Sequence, residues 1–145
     1  MTSIILFSNI NSLYGFYEKA IAMEKRILII DDDVDLASSL KELITIDGYQ
    51  VTIACDGKVG LELQGRYPFD LVITDIVMPE NDGLEVIIAL RCNYPETKVI
   101  AMSGGGYVNS RDYLLMAKEL GASMALSKPF EYNILQSEIR RLLSN

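Results

Sequence analysis

The sequence predicts one α/β domain, a doubly wound (βα)5 parallel sheet, and three observations carry that expectation. Its 145 residues and 16.2 kDa suit a single core, since cores commonly form at roughly 100 to 150 residues. Half the residues are hydrophobic and 23% are charged, so burial of apolar area offsets the entropy of ordering the chain. From Lys25 onward, short apolar runs alternate with amphipathic stretches, the pattern of βα repeats around a sheet buried on both faces.

The expected strands are Arg26–Ile30, Gln50–Ala54, Asp70–Thr74, Lys98–Met102 and Ser123–Ser127, each rich in branched or apolar residues and bounded by polar or turn residues. Between them, Leu36, Leu40, Leu43 and Ile44 fall on one helical face, as do Leu84, Ile87 and Ile88, and later Leu135, Ile139 and Leu142. Asp33 or Asp35 is a candidate cap for the first of these helices, Asp47-Gly48 a candidate stop, and Gly121 a candidate C-cap after Leu120. Residues 1–24 stand outside this rhythm and read as an N-terminal extension to a domain spanning 25–145. Leu13, Phe16, Tyr17, Ala20 and Ile21 have the spacing of a helical apolar face; a disordered lead-in is the alternative.

Composition excludes several classes of function. A net charge of −7 disfavours direct contact with nucleic acid or an anionic membrane surface, because both need clustered Lys and Arg. The longest apolar runs, such as Arg26–Ile30, fall far short of the ~20 residues that span a bilayer. The first residues lack the basic start and long apolar stretch of a secretory signal, so the expected compartment is the cytoplasm. The two cysteines, Cys55 and Cys92, form no CxxC pair and are expected to be reduced and packed in or near the core. The absence of histidine removes Ser-His-Asp and Cys-His catalysis and imidazole metal sites, leaving carboxylates, hydroxyls and Lys to carry any chemistry.

In an open parallel sheet, sites form at the carboxyl ends of the strands. There the sequence gathers Asp31-Asp32-Asp33, Asp75, Ser103 with Gly104-Gly105-Gly106 behind it, and Lys128-Pro129. Carboxylates so gathered raise each other's pKa unless a cation sits among them. Few protein ligands, all oxygen, with room for water and a phosphate, is the pattern of magnesium, and Asp31, Asp32 and Asp75 are the candidate ligands. An Asp run alone is as well explained as a solvated turn or cap; the joint placement on four strand ends is what points to a site.

Several of these segments together resemble receiver domains of bacterial two-component response regulators. They are Ile27–Asp33, Asp70–Pro79 with Asp82-Gly83, Val99–Ser103 and Leu126–Phe130, and the resemblance runs from Lys25 to Asn145. It implies a flavodoxin-like fold with strand order 2-1-3-4-5. It further implies that Asp75 is the phosphoacceptor, Asp32 a direct magnesium ligand, Asp31 a ligand largely through water, and the Val77 carbonyl a further ligand. Ser103 would hydrogen-bond the new phosphate and Lys128 would pair with one of its oxygens. A cis Lys128–Pro129 bond is also implied, whereas the sequence by itself leaves trans as the default.

The implied function is a stand-alone receiver, not an enzyme acting on other molecules. It takes a phosphoryl group from a sensor histidine kinase or a histidine phosphotransfer protein onto Asp75 and thereby switches its docking to a downstream target protein. It would act as a monomer or a phosphorylation-dependent dimer, without nucleic-acid contact or membrane insertion. Two departures from the family stand out. Receivers often carry Tyr or Phe three residues before the Lys, where this chain has Ala125, so output is expected to rely on backbone shifts near Ser103 to Tyr107. The positions two past Asp75 and two past Ser103 are Val77 and Gly105, neither able to position an attacking water, so a long-lived acyl phosphate is expected.

Two other readings compete. A magnesium-dependent phosphohydrolase with an Asp nucleophile wants a second acid two residues on, where this chain has Val77. A nucleotide-binding module wants a glycine-rich loop after the first strand, where Asp31-Asp32-Asp33 would repel phosphate.

Overall fold

The computed structural model describes residues 9–17, 20, 25–78, 83–104 and 110–144. Five strands, β1 (Arg26–Ile30), β2 (Gln50–Ala54), β3 (Leu71–Asp75), β4 (Lys98–Gly104) and β5 (Met124–Lys128), form one sheet in the order β2-β1-β3-β4-β5. Every pairing is parallel. Among the described residues there are six helices: α1 (9–17), α2 (Val34–Ile46), α3 (Gly57–Arg66), α4 (Gly83–Asn93), α5 (Ser110–Glu119) and α6 (Tyr132–Leu143). This is the doubly wound, flavodoxin-like fold expected from the sequence.

Strand alternation divides the core in two. Ile27, Ile29, Leu71 and Ile73 pack with Ala37, Leu40 and Ile44 of α2 and with Leu135, Ile139 and Leu143 of α6. Leu28, Ile30 and Val72 point the other way, toward Leu84, Ile87 and Leu90 of α4 and Ala117 of α5. Strand β3 is the middle of the sheet, and all five of its residues are buried.

Helix signals in the sequence translate directly into geometry. Asp33 caps α2 by accepting from the Leu36 N–H at 3.1 Å, and Asp56 caps α3 through the Val59 N–H at 2.8 Å. Gly48 and Gly121 follow α2 and α5 with φ of 103° and 112°, the left-handed region that only glycine enters freely.

Several expectations are corrected. Strand β3 starts at Leu71 instead of Asp70, because the Asp70 carboxylate accepts the Arg26 N–H at 2.8 Å and holds that residue in a bend. Strands β3 and β5 each run one residue further than expected and β4 runs two further, so Asp75, Ser103 and Lys128 lie within strands. Leu43 and Ile88 are 40% and 45% exposed, at the margins of their helical faces, and Leu143 is more deeply buried than Leu142. Cys55 and Cys92 are free, as expected, but exposed: Cys55 lies in the bend between β2 and α3, and Cys92 near the end of α4. In the N-terminal segment, 9–17 is helical, yet Leu13, Phe16 and Tyr17 are exposed; Ile21 lies outside the described residues. No helix among the described residues is long and apolar enough to cross a membrane.

Candidate functional site

The parallel register brings the predicted residues to one edge. Asp75 pairs with Met102 across β3 and β4, which sets Ser103 one step beyond it; Gly104 pairs with Lys128 across β4 and β5. Asp31 follows β1 directly, its N–H held by the Ala54 carbonyl at 3.1 Å. Carboxylate oxygens of Asp31, Asp32 and Asp75 lie within 4.8 Å of one another. Asp31 and Asp75 are buried, whereas Asp32 faces solvent.

Lys128 is the cation among them. Its Nζ donates to Asp31 Oδ2 at 2.8 Å and lies 3.6 Å from Asp75 Oδ2. Burial alone would pull the ammonium's pKa down, but the hydrogen bond and charge of Asp31, with the charge of Asp75, outweigh it and hold it above the ordinary value.

For Asp75 the balance falls the other way. Its pKa is pushed up from 3.8 to about 6, first by burial, against which Lys128 pulls down; the charge of Asp31 raises it again, the Val77 N–H lowers it, and Asp32 raises it slightly. Loss of water is thus the larger cause of the rise, ahead of the repulsion among carboxylates expected from their clustering in the sequence.

Among the described residues, two buried oxygens at the site make no hydrogen bond, Asp75 Oδ1 and Ser103 Oγ, and Ser103 is fully buried. Buried oxygens without partners are costly, and a site that leaves two on one edge is built for a group that supplies them. The donor set is oxygen only, partly charged and partly open to solvent, which fits a hard divalent cation such as magnesium. Val77 sits two residues past Asp75, 44% exposed at the mouth of the site.

Gly83 enters the sequence reading only within the Asp82-Gly83 pair of the resemblance, and the structure gives it a larger role. Its N–H donates to the Ile76 carbonyl at 2.8 Å, and a Cβ there would come within 2.6 Å of Ile76 Cα and closer still to the Asp75 carbonyl oxygen. The start of α4 therefore packs on the backbone of the strand end that carries Asp75. Thr74, also unremarked in the sequence, donates its hydroxyl to the Asp75 carbonyl at 3.0 Å. The Lys128–Pro129 peptide is cis, as the resemblance implied. Pro79, Asp82, Gly105, Gly106 and Tyr107 lie outside the described residues.

Comparison with known proteins agrees with this geometry. Residues 27–140 match the response regulator receiver domain family. The chain is 37% identical over 118 residues to the transcriptional regulatory protein CpxR of Escherichia coli strain K12, covering 81% of this chain and 49% of CpxR. It is 34% identical over 121 residues to the response regulator MprA of Mycolicibacterium vanbaalenii, covering 83% of this chain and 51% of MprA. It thus spans about half the length of the curated relatives it matches.

Among solved structures, a response regulator receiver domain protein from Clostridium thermocellum superposes with a TM-score of 0.76 at 30% identity, over 83% of this chain and 94% of that one. The response regulator TrrA of Thermotoga maritima, solved in complex with Mg(2+)-BeF, gives 0.71 at 31% identity, over 81% and 98%. By fold, by the charged edge of its sheet and by these matches, the chain belongs to the response regulator receiver domain family.

Proposed function

We propose that residues 25–145 form a phosphoacceptor unit in which Asp75 takes a phosphoryl group from a phosphohistidine of a sensor kinase or phosphotransfer protein, with residues 1–24 as an extension. The observation that carries this is the buried Asp75 carboxylate, with one oxygen unpartnered, facing the Lys128 ammonium at a sheet edge that also holds two further carboxylates.

In the proposed step an Asp75 oxygen forms a bond to phosphorus as the P–N bond to the donor imidazole breaks in line. The departing nitrogen keeps the bonding pair and the three peripheral oxygens keep their charge. Asp31, Asp32, Asp75 and the Val77 carbonyl would hold a magnesium ion, which when bound neutralises charge on the transferring oxygens. Lys128 supplies a fixed positive charge from the opposite side. Ser103 Oγ, buried without a partner, donates to an oxygen of the product, which adds charge and acceptor oxygens at Asp75. Drawing Ser103 and Lys128 toward that product would shift the ends of β4 and β5, the surface a target protein would read.

Val77 stands where a phosphohydrolase of this type would need its second acid, which favours a switch over a hydrolase acting on other molecules. A kinase-facing receiver of this kind would work in the cytoplasm as a monomer or a phosphorylation-dependent dimer. The acidic charge argues against nucleic-acid contact by this unit, but that expectation is restricted to the receiver itself, because the relatives include a transcriptional regulatory protein of which the matched region is only 49%. Stand-alone action, by docking a target or passing the phosphoryl group onward, would set the chain apart from such relatives.

Intact-mass analysis after incubation with acetyl phosphate and magnesium tests the reading. The expected result is a gain of one phosphoryl mass in the wild type that is lost in Asp75→Asn. An equal gain in the variant would move the acceptor elsewhere, and no gain with acetyl phosphate or a phosphohistidine donor would refute the proposal.

A further inference from the structure

Asp47 ends α2, its backbone N–H reaching the Leu43 and Thr45 carbonyls. A carboxylate at a helix C-terminus faces the negative end of the helix dipole, so its placement there needs compensation. Compensation comes from α6: Tyr132 Oη donates to Asp47 Oδ2 at 2.6 Å, and Gln136 Nε2 donates to both carboxylate oxygens at 3.0 and 2.9 Å. Burial, then the hydrogen bond to Asp47 and the charge of Asp47, push the Tyr132 phenol's pKa upward, so it keeps its proton and remains a donor. Helix α6 has no side-chain N-cap of its own, Glu131 making no such bond, so this contact holds its first turn from outside.

The opposite end of α2 is tied to the charged site. The Asp33 N–H donates to Asp31 Oδ1 at 2.9 Å, and Asp31 Oδ2 accepts from Lys128. Four residues after Lys128 the chain reaches Tyr132. The contacts therefore close a ring, from Lys128 through Asp31 and the length of α2 to Asp47 and Tyr132 and back along the loop. Leu36, Leu40, Pro129 and Phe130 line the groove of about 480 Å³ that this ring borders.

We propose that Tyr132 is a positioning residue for Lys128: its bond to Asp47 fixes the short loop that follows Lys128 and so holds the ammonium at the end of β5 over Asp31 and Asp75. This rests on the receiver reading for its catalytic consequence but not for its structural one, and the test separates the two. Phosphoryl uptake from acetyl phosphate is followed by intact mass in the wild type, Tyr132→Phe, Lys128→Ala and the double variant, and urea stability is measured on the same four proteins.

If Tyr132 acts through Lys128, Tyr132→Phe slows uptake by about ten-fold in the wild-type background and by less than about two-fold once Lys128 is gone. Asp47→Asn, which keeps an acceptor for the phenol, retains most of the rate, whereas Asp47→Ala matches Tyr132→Phe. The urea cycle is non-additive although the two side chains do not touch. Equal slowing in both backgrounds, or none, together with additive stabilities, would overturn the proposal. Failure of the wild type to take up phosphate would remove the receiver reading and leave the urea cycle to decide the ring.

Discussion

Replacing Gly83 by alanine isolates the contact that seats Asp75. In an unconstrained helix the exchange would stabilise by roughly 0.5–1 kcal/mol, because alanine loses less conformational freedom on folding. Here the new methyl would lie 2.6 Å from Ile76 Cα and 3.0 Å from the Asp75 carbonyl carbon, where ordinary contact begins at 3.4 Å. Every one of these neighbours is backbone in a strand end buried on both faces, so none can rotate away.

Overpacking costs about 1–3 kcal/mol, and backbone contacts this close fall at the upper end, which leaves a net loss of about 2 kcal/mol. Relief requires α4 or the Asp75 backbone to move by most of an ångström, and a shift of that size at a reacting group can cost up to about a hundred-fold in rate. Urea unfolding monitored by circular dichroism, paired with the acetyl phosphate mass assay, measures both effects. Gly65→Ala is the control: its methyl would meet only the tip of Tyr94 at 3.3 Å, so stability should hold or rise. A Gly83→Ala protein as stable and as readily phosphorylated as the wild type would refute the packing argument.

Further outcomes follow from the same geometry. Because burial raises the Asp75 pKa to about 6 from 3.8, its contribution to stability is fully present below 3.8 and lost as pH rises through 6. Without magnesium, stability should therefore fall by about 1–3 kcal/mol across that window in thermal or urea titrations. Millimolar magnesium should recover it above pH 6, and Asp75→Asn should show neither effect. Val77→Asn, which offers an attacking water a polar partner, should shorten the acyl phosphate lifetime several-fold in a phosphate-release time course; an unchanged lifetime would count against the water-positioning argument. Leu135→Ala, emptying a fully buried site between α6 and the sheet, should cost about 2–5 kcal/mol in urea.

The sequence made the scaffold legible because its signals were periodic and local. Alternating apolar runs located all five strands, and β1 and β2 matched residue for residue. Asp33, Gly48 and Gly121 announced helix ends through side-chain chemistry that depends only on near neighbours. The charged edge was legible for a related reason: a parallel sheet places every strand end together, so Asp31, Asp75, Ser103 and Lys128 had to meet.

What escaped depended on contacts between distant segments. Nothing in the composition shows that Lys128 would bond Asp31 more closely than Asp75, or that Asp47 would find Tyr132 85 residues away. Gly83 stood out only as part of a resembling segment, and its close approach to Asp75 exists only once α4 folds back onto β3. The exposure of Cys55 and Cys92 was missed because cysteine's general preference for the interior says nothing about the face a particular cysteine occupies.

Strand β3 is hemmed in by hydrogen-bonded neighbours on both sides and by packed side chains above and below. Asp75 is thus mounted on the part of the molecule least free to yield. A change in its charge would have to drag two cores with it to move the strand, so the chemistry is effectively grounded there. If Asp75 is phosphorylated as proposed, the mechanical effect would be delivered sideways, to the end of β4 and to β5, an edge strand that is only partly buried and has one side unconstrained by the sheet. In the proposed switch the acceptor would stay still while its neighbours move.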